Sequence, residues 1–250
     1  MKKILSTIAM STFLSVSLCA DITKVEIGAG AWGQTPSGTA NYDRGLGITG
    51  TNTFDETKDT SPYVWMLIKH PIPVVPNIRL EYTSIHATGK ASGSWNGLNA
   101  PANTKSVLDI KEYDIIPYYN LVDNTFWTTL DLGLDIKVLD LDYKVEPNGL
   151  FTGYEDTYTA PIPLVYARVR VEIPTTNIGL EGDAKYVTTG SSTIYDARVK
   201  VDYTFNISPV VQPALEIGYR KQKIKIDENN LDVKTDMDFS GFFAGLMLRF

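Results

Sequence analysis

Residues Ile194–Phe205 read "IYDARVKVDYTF". Successive side chains on a strand point to opposite faces. Tyr195, Ala197, Val199, Val201, Tyr203 and Phe205 therefore share one face, and Asp196, Arg198, Lys200, Asp202 and Thr204 share the other. A soluble sandwich would turn the apolar face to its core and the charged face to water. That reading leaves the aromatics at the two ends of the apolar face unexplained. At about 3.3 Å per residue and a tilt near 40°, their separation projects to roughly 25 Å, the height of the lipid-facing band between the aromatic girdles of a membrane barrel. The segment is thus expected to cross a bilayer with its charged face turned to a lumen.

The same alternation recurs along the chain. Leu130, Leu132, Leu134, Ile136 and Val138 oppose Asp131, Asp135 and Lys137. Val165, Ala167, Val169, Val171 and Ile173 oppose Arg168, Arg170 and Glu172, while Ile178, Leu180, Gly182, Ala184 and Tyr186 oppose Glu181, Asp183 and Lys185. "VEIGAGAW" places Glu26 and Trp32 inward, with Val25 and Ile27 outward. In the closing stretch "FSGFFAGLMLRF", Phe242, Ala244, Leu246, Leu248 and Phe250 form one apolar series that ends on the last residue. "YVWMLIKH", residues 63–70, is apolar on both faces, and alternation alone does not orient it.

Composition narrows the alternatives. "MKK" followed by an apolar run and "CA" reads as a secretory signal peptide over residues 1–20, cleaved after Ala20. Lipidation of Cys19 would want Gly, Ala or Ser before it, and the sequence has Leu18. Cleavage removes the single cysteine, and with it disulfide, thiolate and Cys-based metal chemistry. Beyond the signal no apolar run is long enough for a transmembrane helix. A formal charge of −6 argues against a nucleic-acid partner, which would need a basic patch. No cofactor and no metal are expected.

Short connections carrying Pro, Asn or Asp fall at 70–77, 120–124, 174–177 and 206–213. Polar loops are expected at about 35–60, 90–105, 146–156, 188–192 and 228–236. Together they join ten strands, with eight as the fallback. The expected architecture is an all-β, up-and-down antiparallel transmembrane barrel, residues 21–250 forming one domain.

The signal peptide, the alternating meander and the terminal aromatic strand resemble those of Gram-negative outer-membrane β-barrel proteins. "KHPIPVVPNIRLEY" and "DIIPYYNL" are similar to segments of a family of small outer-membrane barrels of undefined function. The resemblance implies export to the cell outer membrane of a Gram-negative bacterium. It also implies partners in outer-membrane lipid and lipopolysaccharide, and passage through the barrel-assembly machinery, for which Phe242, Leu246, Leu248 and Phe250 would be the signal. No protein partner is identified.

By alternation the lumen receives Glu26, Glu81, Asp114, Asp131, Asp135, Glu172, Glu181, Asp183, Asp196, Asp202 and Glu216, with Arg79, Lys137, Arg168, Arg170, Lys185, Arg198, Lys200, Arg220 and Arg249. The signs nearly balance, and barrels of about eight strands are just filled by their interior side chains. A salt-bridged plug is expected, with a narrow passive channel for ions or small solutes as the variant, and no enzyme activity. The alternative from another class is a lipid hydrolase, similar to a lipid A deacylase. Ser84 and His86 share a lipid-side face, and a histidine is the base that activates a hydroxyl. An omptin-like protease would want paired acidic residues and an Asp–His pair at the loop rim, which the sequence does not announce. Lys221 and Lys223 extend the outward face beyond Tyr219 and are candidate contacts to lipopolysaccharide phosphates.

Overall fold

In the computed structural model, residues 24–43, 49–55, 58–72, 74–95, 97–227 and 233–250 are described. The signal segment 1–20 lies outside them, as does part of the loop expected at 228–236. The elements are β1 (Lys24–Asp43), β2 (Thr49–Asp55), β3 (Asp59–Lys69), β4 (Asn77–Trp95), β5 (Leu98–Thr125), β6 (Thr128–Val145), β7 (Tyr154–Glu172), β8 (Ile178–Thr189), β9 (Ser192–Thr204), β10 (Gln212–Ile226) and β11 (Val233–Arg249).

Each strand pairs antiparallel with its neighbours, and β11 pairs with β1 to close the ring. The last residue seals the seam: Phe250 N donates to Val25 O at 2.9 Å and Val25 N to Phe250 O at 3.3 Å. β2 and β3 both lie between β1 and β4, β2 on their upper halves and β3 on their lower halves. Among the described residues eleven strands thus fill ten positions around the ring, β2 being the addition to the ten expected.

The outer wall carries one apolar belt. Val199 and Phe242 are 62% and 71% exposed, and Leu134, Val165, Ile217 and Leu246 are exposed beside them. Tyr82–Tyr113 and Tyr219–Phe242 are ring pairs at the upper edge, 5.1 and 5.2 Å apart, and Tyr203–Phe205 is a pair at the lower edge at 5.1 Å. Tyr186 and Tyr195, register partners on β8 and β9, continue the upper row. These are the two girdles read from Tyr195 and Phe205.

Above the belt the wall inverts. Val138 is the last outward apolar residue of β6; beyond it Asp140, Asp142 and Lys144 face out while Leu139, Leu141, Tyr143 and Val145 face in. The same switch puts Ile85 and Ala87 of β4 and Leu108 and Ile110 of β5 inside. With water replacing lipid outside, burial of the apolar face now favours the interior. Trp95 fills this upper storey, stacked 5.5 Å from Tyr42 and 5.5 Å from both Tyr143 and Tyr154. Gly50 lies flat against the Trp95 ring, where any side chain would collide. Much of the sequence expected as loop is strand in this storey: β1 runs on to Asp43, β2 occupies 49–55, and β4 and β5 continue through 90–95 and 98–105.

"YVWMLIKH" is oriented by packing. Tyr63, Trp65 and Leu67 point inward and Val64, Met66 and Ile68 outward. The indole of Trp65 fits because Gly28, its register partner on β1, has no side chain to collide with it.

Candidate functional site

The lumen within the belt is filled by ion pairs laid out by the register. One row perpendicular to the strands runs Arg220, Arg198, Asp183, Arg168, Asp131, Asn120, each directly opposite the next. Arg198 holds Asp183 at 2.7 Å and Glu81 at 2.5 Å. Arg168 holds Asp131 at 2.6 Å and Glu181 at 2.8 Å. Arg220 holds Asp196 at 2.7 Å and lies 4.5 Å over the Trp32 ring.

The rows above and below interlock with it. Lys185 sits 2.6 Å from Glu81 and 2.8 Å from Asp114, and Lys137 is 2.8 Å from Asp114. Arg79 reaches Glu81 at 2.5 Å, Arg170 reaches Asp202 at 2.6 Å, and Lys200 reaches Glu216 at 2.9 Å. Arg249 joins Glu26 and Asp202, both at 2.9 Å. Buried charges are tolerable only when paired and hydrogen-bonded, and here most carboxylates meet two cations. Asp135 stands apart: fully buried, neither of its oxygens accepts a hydrogen bond, and Lys185 stands 4.0 Å away.

Every charged residue that alternation assigned to the lumen faces it. Glu172 stands half exposed at the lower rim, 2.6 Å from Arg170. Glu112 belongs to the set as well: fully buried, it pairs with Lys137 at 3.3 Å and with Arg220 at 3.1 Å. Its parity is that of Asp114, but Ile110 and Leu108 continue that parity upward into the apolar storey and hide the signal. Tyr63 and Trp65, unoriented in the sequence, both donate to Glu216, at 2.8 and 3.1 Å.

One cavity among these groups has a volume of about 20 Å³ and is lined by Trp32, Tyr63, Trp65, Arg79, Asp183, Arg198, Lys200, Glu216, Arg220 and Phe243. That is room for about one water molecule. Among the described residues no cluster suited to a metal ion occurs.

A second polar group stands on the outer wall just above the Tyr82–Tyr113 pair. Ser84 and His86 face outward, as alternation requires. The structure adds what sequence spacing did not reveal: Asp109 of β5 is the register partner of His86, with His86 Nδ1 2.6 Å from Asp109 Oδ1. A histidine–carboxylate pair thus exists, on the outer wall rather than at the loop rim. The other histidine, His70, is a turn residue whose Nε2 lies 3.0 Å from Pro76 O.

The two lysines beyond Tyr219 separate. Lys221 is exposed and makes no ion pair among the described residues, whereas Lys223 is held by Asp236 at 2.6 Å and Asp238 at 3.0 Å. The charge of Lys223 is thus met by two carboxylates of β11, while that of Lys221 is not.

No protein-family model and no curated protein sequence matches the chain. Among solved structures, the outer-membrane protease OmpT of Escherichia coli is similar with a TM-score of 0.50 at 10% identity, over 91% of this chain and 96% of that one. The translocator domain of the autotransporter NalP of Neisseria meningitidis aligns with a TM-score of 0.47 at 12% identity, over 100% and 97%. Neisserial surface protein A aligns with a TM-score of 0.33 at 14% identity, over 91% and 97%. The chain has the fold of a Gram-negative outer-membrane β-barrel.

Proposed function

We propose that this protein is an integral outer-membrane barrel whose lumen is shut, a structural and surface-presenting protein rather than a diffusion pore. The observation that carries this reading is the filled interior. Ion pairs cross the lumen within the belt, a packed aromatic storey lies above them, and the cavity between Trp32, Trp65, Arg198 and Phe243 has room for about one water. The unbroken apolar belt with its two girdles supports the membrane location. Proteoliposomes carrying the purified barrel should swell in small sugars no faster than empty liposomes. Swelling at the rate of porin-containing controls would defeat the reading.

A second reading, compatible with a shut lumen, is favoured by His86 and Asp109. A carboxylate on Nδ1 fixes the imidazole tautomer that leaves Nε2 free to take a proton, and Ser84 shares the same outward face. This arrangement supports an acyl-ester hydrolase working from the lipid-side wall. It does not support proteolysis of the kind named for the Escherichia coli barrel, because neither group faces the mouth. Covalent labelling by a fluorophosphonate probe, lost in Ser84→Ala, tests it; absence of labelling in the wild type would count against it.

A further inference from the structure

The outward side chains of β4 and β5 succeed one another in facing pairs: Tyr82 with Tyr113, Ser84 with Lys111, His86 with Asp109. Facing side chains in an antiparallel pair have Cβ atoms about 4.5–5.5 Å apart, so each member is within reach of its partner's long side chain. The tyrosine pair marks the upper girdle, where aromatic rings sit at the membrane–water interface. Ser84 and Lys111 stand one pair higher, at the level of lipid ester and phosphate groups.

Lys111 makes no hydrogen bond and no ion pair among the described residues. Neither of the acidic side chains on the neighbouring outward positions pairs with it. Asp109 is bound to His86 at 2.6 Å, and Asp140, in register with Lys111 on β6, accepts a hydrogen bond from Thr159 at 2.8 Å. The ammonium thus faces outward at a depth where the available anions are lipid phosphates, and a compact charge on a flexible stem suits point contact with them.

Resting on the hydrolase reading above, we propose that the substrate is an ester of a phosphate-bearing outer-leaflet lipid, and that Lys111 is the positioning residue that holds its phosphate beside Ser84. In the first half-reaction Ser84 Oγ bonds to the acyl carbonyl carbon as its proton passes to His86 Nε2. Collapse of the adduct breaks the ester C–O bond, and the leaving alkoxide takes that proton. Water then gives a proton to His86 and adds to the acyl carbon, and Ser84 leaves with the proton as the fatty acid departs. Asp109 stabilises the imidazolium formed in each half.

The test is fatty-acid release by the purified full chain in detergent micelles of phosphatidylglycerol or of diacylglycerol, which has the ester but no phosphate. Ser84→Ala, Lys111→Met and Lys111→Arg are compared, each first checked for heat-modifiable migration. The expected result is release that requires Ser84, with a lower KM for phosphatidylglycerol. Lys111→Met should raise that KM about tenfold, the loss of one charge-assisted contact, with kcat unchanged. Diacylglycerol kinetics should stay as in the wild type, and Lys111→Arg should restore the lower KM. Ser84-dependent release that Lys111→Met changes equally for both lipids, or for neither, overturns the role of Lys111 and leaves the hydrolase reading standing. No release by the wild type, or release unchanged in Ser84→Ala, overturns the hydrolase reading and this proposal with it.

Discussion

Arg198 and Glu81 meet in the middle of the barrel, Nη2 lying 2.5 Å from Oε1. β9 and β4, which carry them, stand on opposite walls of the ten-position ring. Arg220 and Glu112 repeat the crossing between β10 and β5, also opposite, at 3.1 Å. A single arginine and a single glutamate bridge the full width of the lumen in both cases. Within the belt, ties of this kind connect opposite walls of the barrel.

Removing one partner of such a tie leaves a buried charge without compensation. Arg198→Ala is therefore expected to cost about 3–5 kcal/mol in urea unfolding of the reconstituted barrel. The exposed pair of Lys105 and Glu146, 2.8 Å apart, is the internal control: Lys105→Ala should cost under about 1 kcal/mol. Equal, small effects of both substitutions would place water around Arg198 and contradict the plug.

The apolar belt makes a separate demand. Val199 and Leu132 are outward and well exposed. Val199→Arg or Leu132→Arg near the bilayer midplane should each lose roughly 2–4 kcal/mol and lower the yield of membrane-inserted barrel. Wild-type folding into liposomes by both variants would contradict the lipid-facing assignment of that wall.

The belt was legible because lipid outside and paired charge inside impose the strictest alternation a strand can carry; Tyr195–Phe205 and Leu130–Val138 state it without ambiguity. The upper storey was not legible for a physical reason. Alternation continues unbroken through Leu139–Val145, but the apolar residues change face where water replaces lipid, so strand looks like polar loop. The sign was present at Val138 and Leu139, two apolar residues in succession between alternating runs. Trp65 could not be oriented because its place depends on the empty space at Gly28 and on Glu216, both remote in sequence. Asp109 was unreadable as a partner of His86, since only the β4–β5 register brings them face to face.

The aromatic storey should have its own stability. Trp95 is completely buried among Tyr42, Tyr143 and Tyr154, and truncating so large a side chain costs about 3–5 kcal/mol. Trp95→Ala is expected to open new protease sites above the belt while the membrane-embedded strands stay protected. Digestion patterns identical to the wild type would mean that the storey does not depend on this packing.

Phe250 closes the ring through two backbone hydrogen bonds to Val25 and ends the outward apolar series. Deleting it, or Phe250→Asp, is expected to slow assembly and leave unfolded chain in the periplasm. The check is heat-modifiable migration on cold gels of outer-membrane fractions; normal migration at wild-type abundance would remove Phe250 from the assembly signal.

Single-channel recording of the wild-type barrel in planar bilayers asks most directly whether the lumen is shut. Ties such as Arg198–Glu81 and Arg220–Glu112, under a packed aromatic storey, require the current trace to stay at the baseline of the empty bilayer. Large, long-lived, stepwise currents from the wild type would contradict the account and make the protein a small diffusion pore.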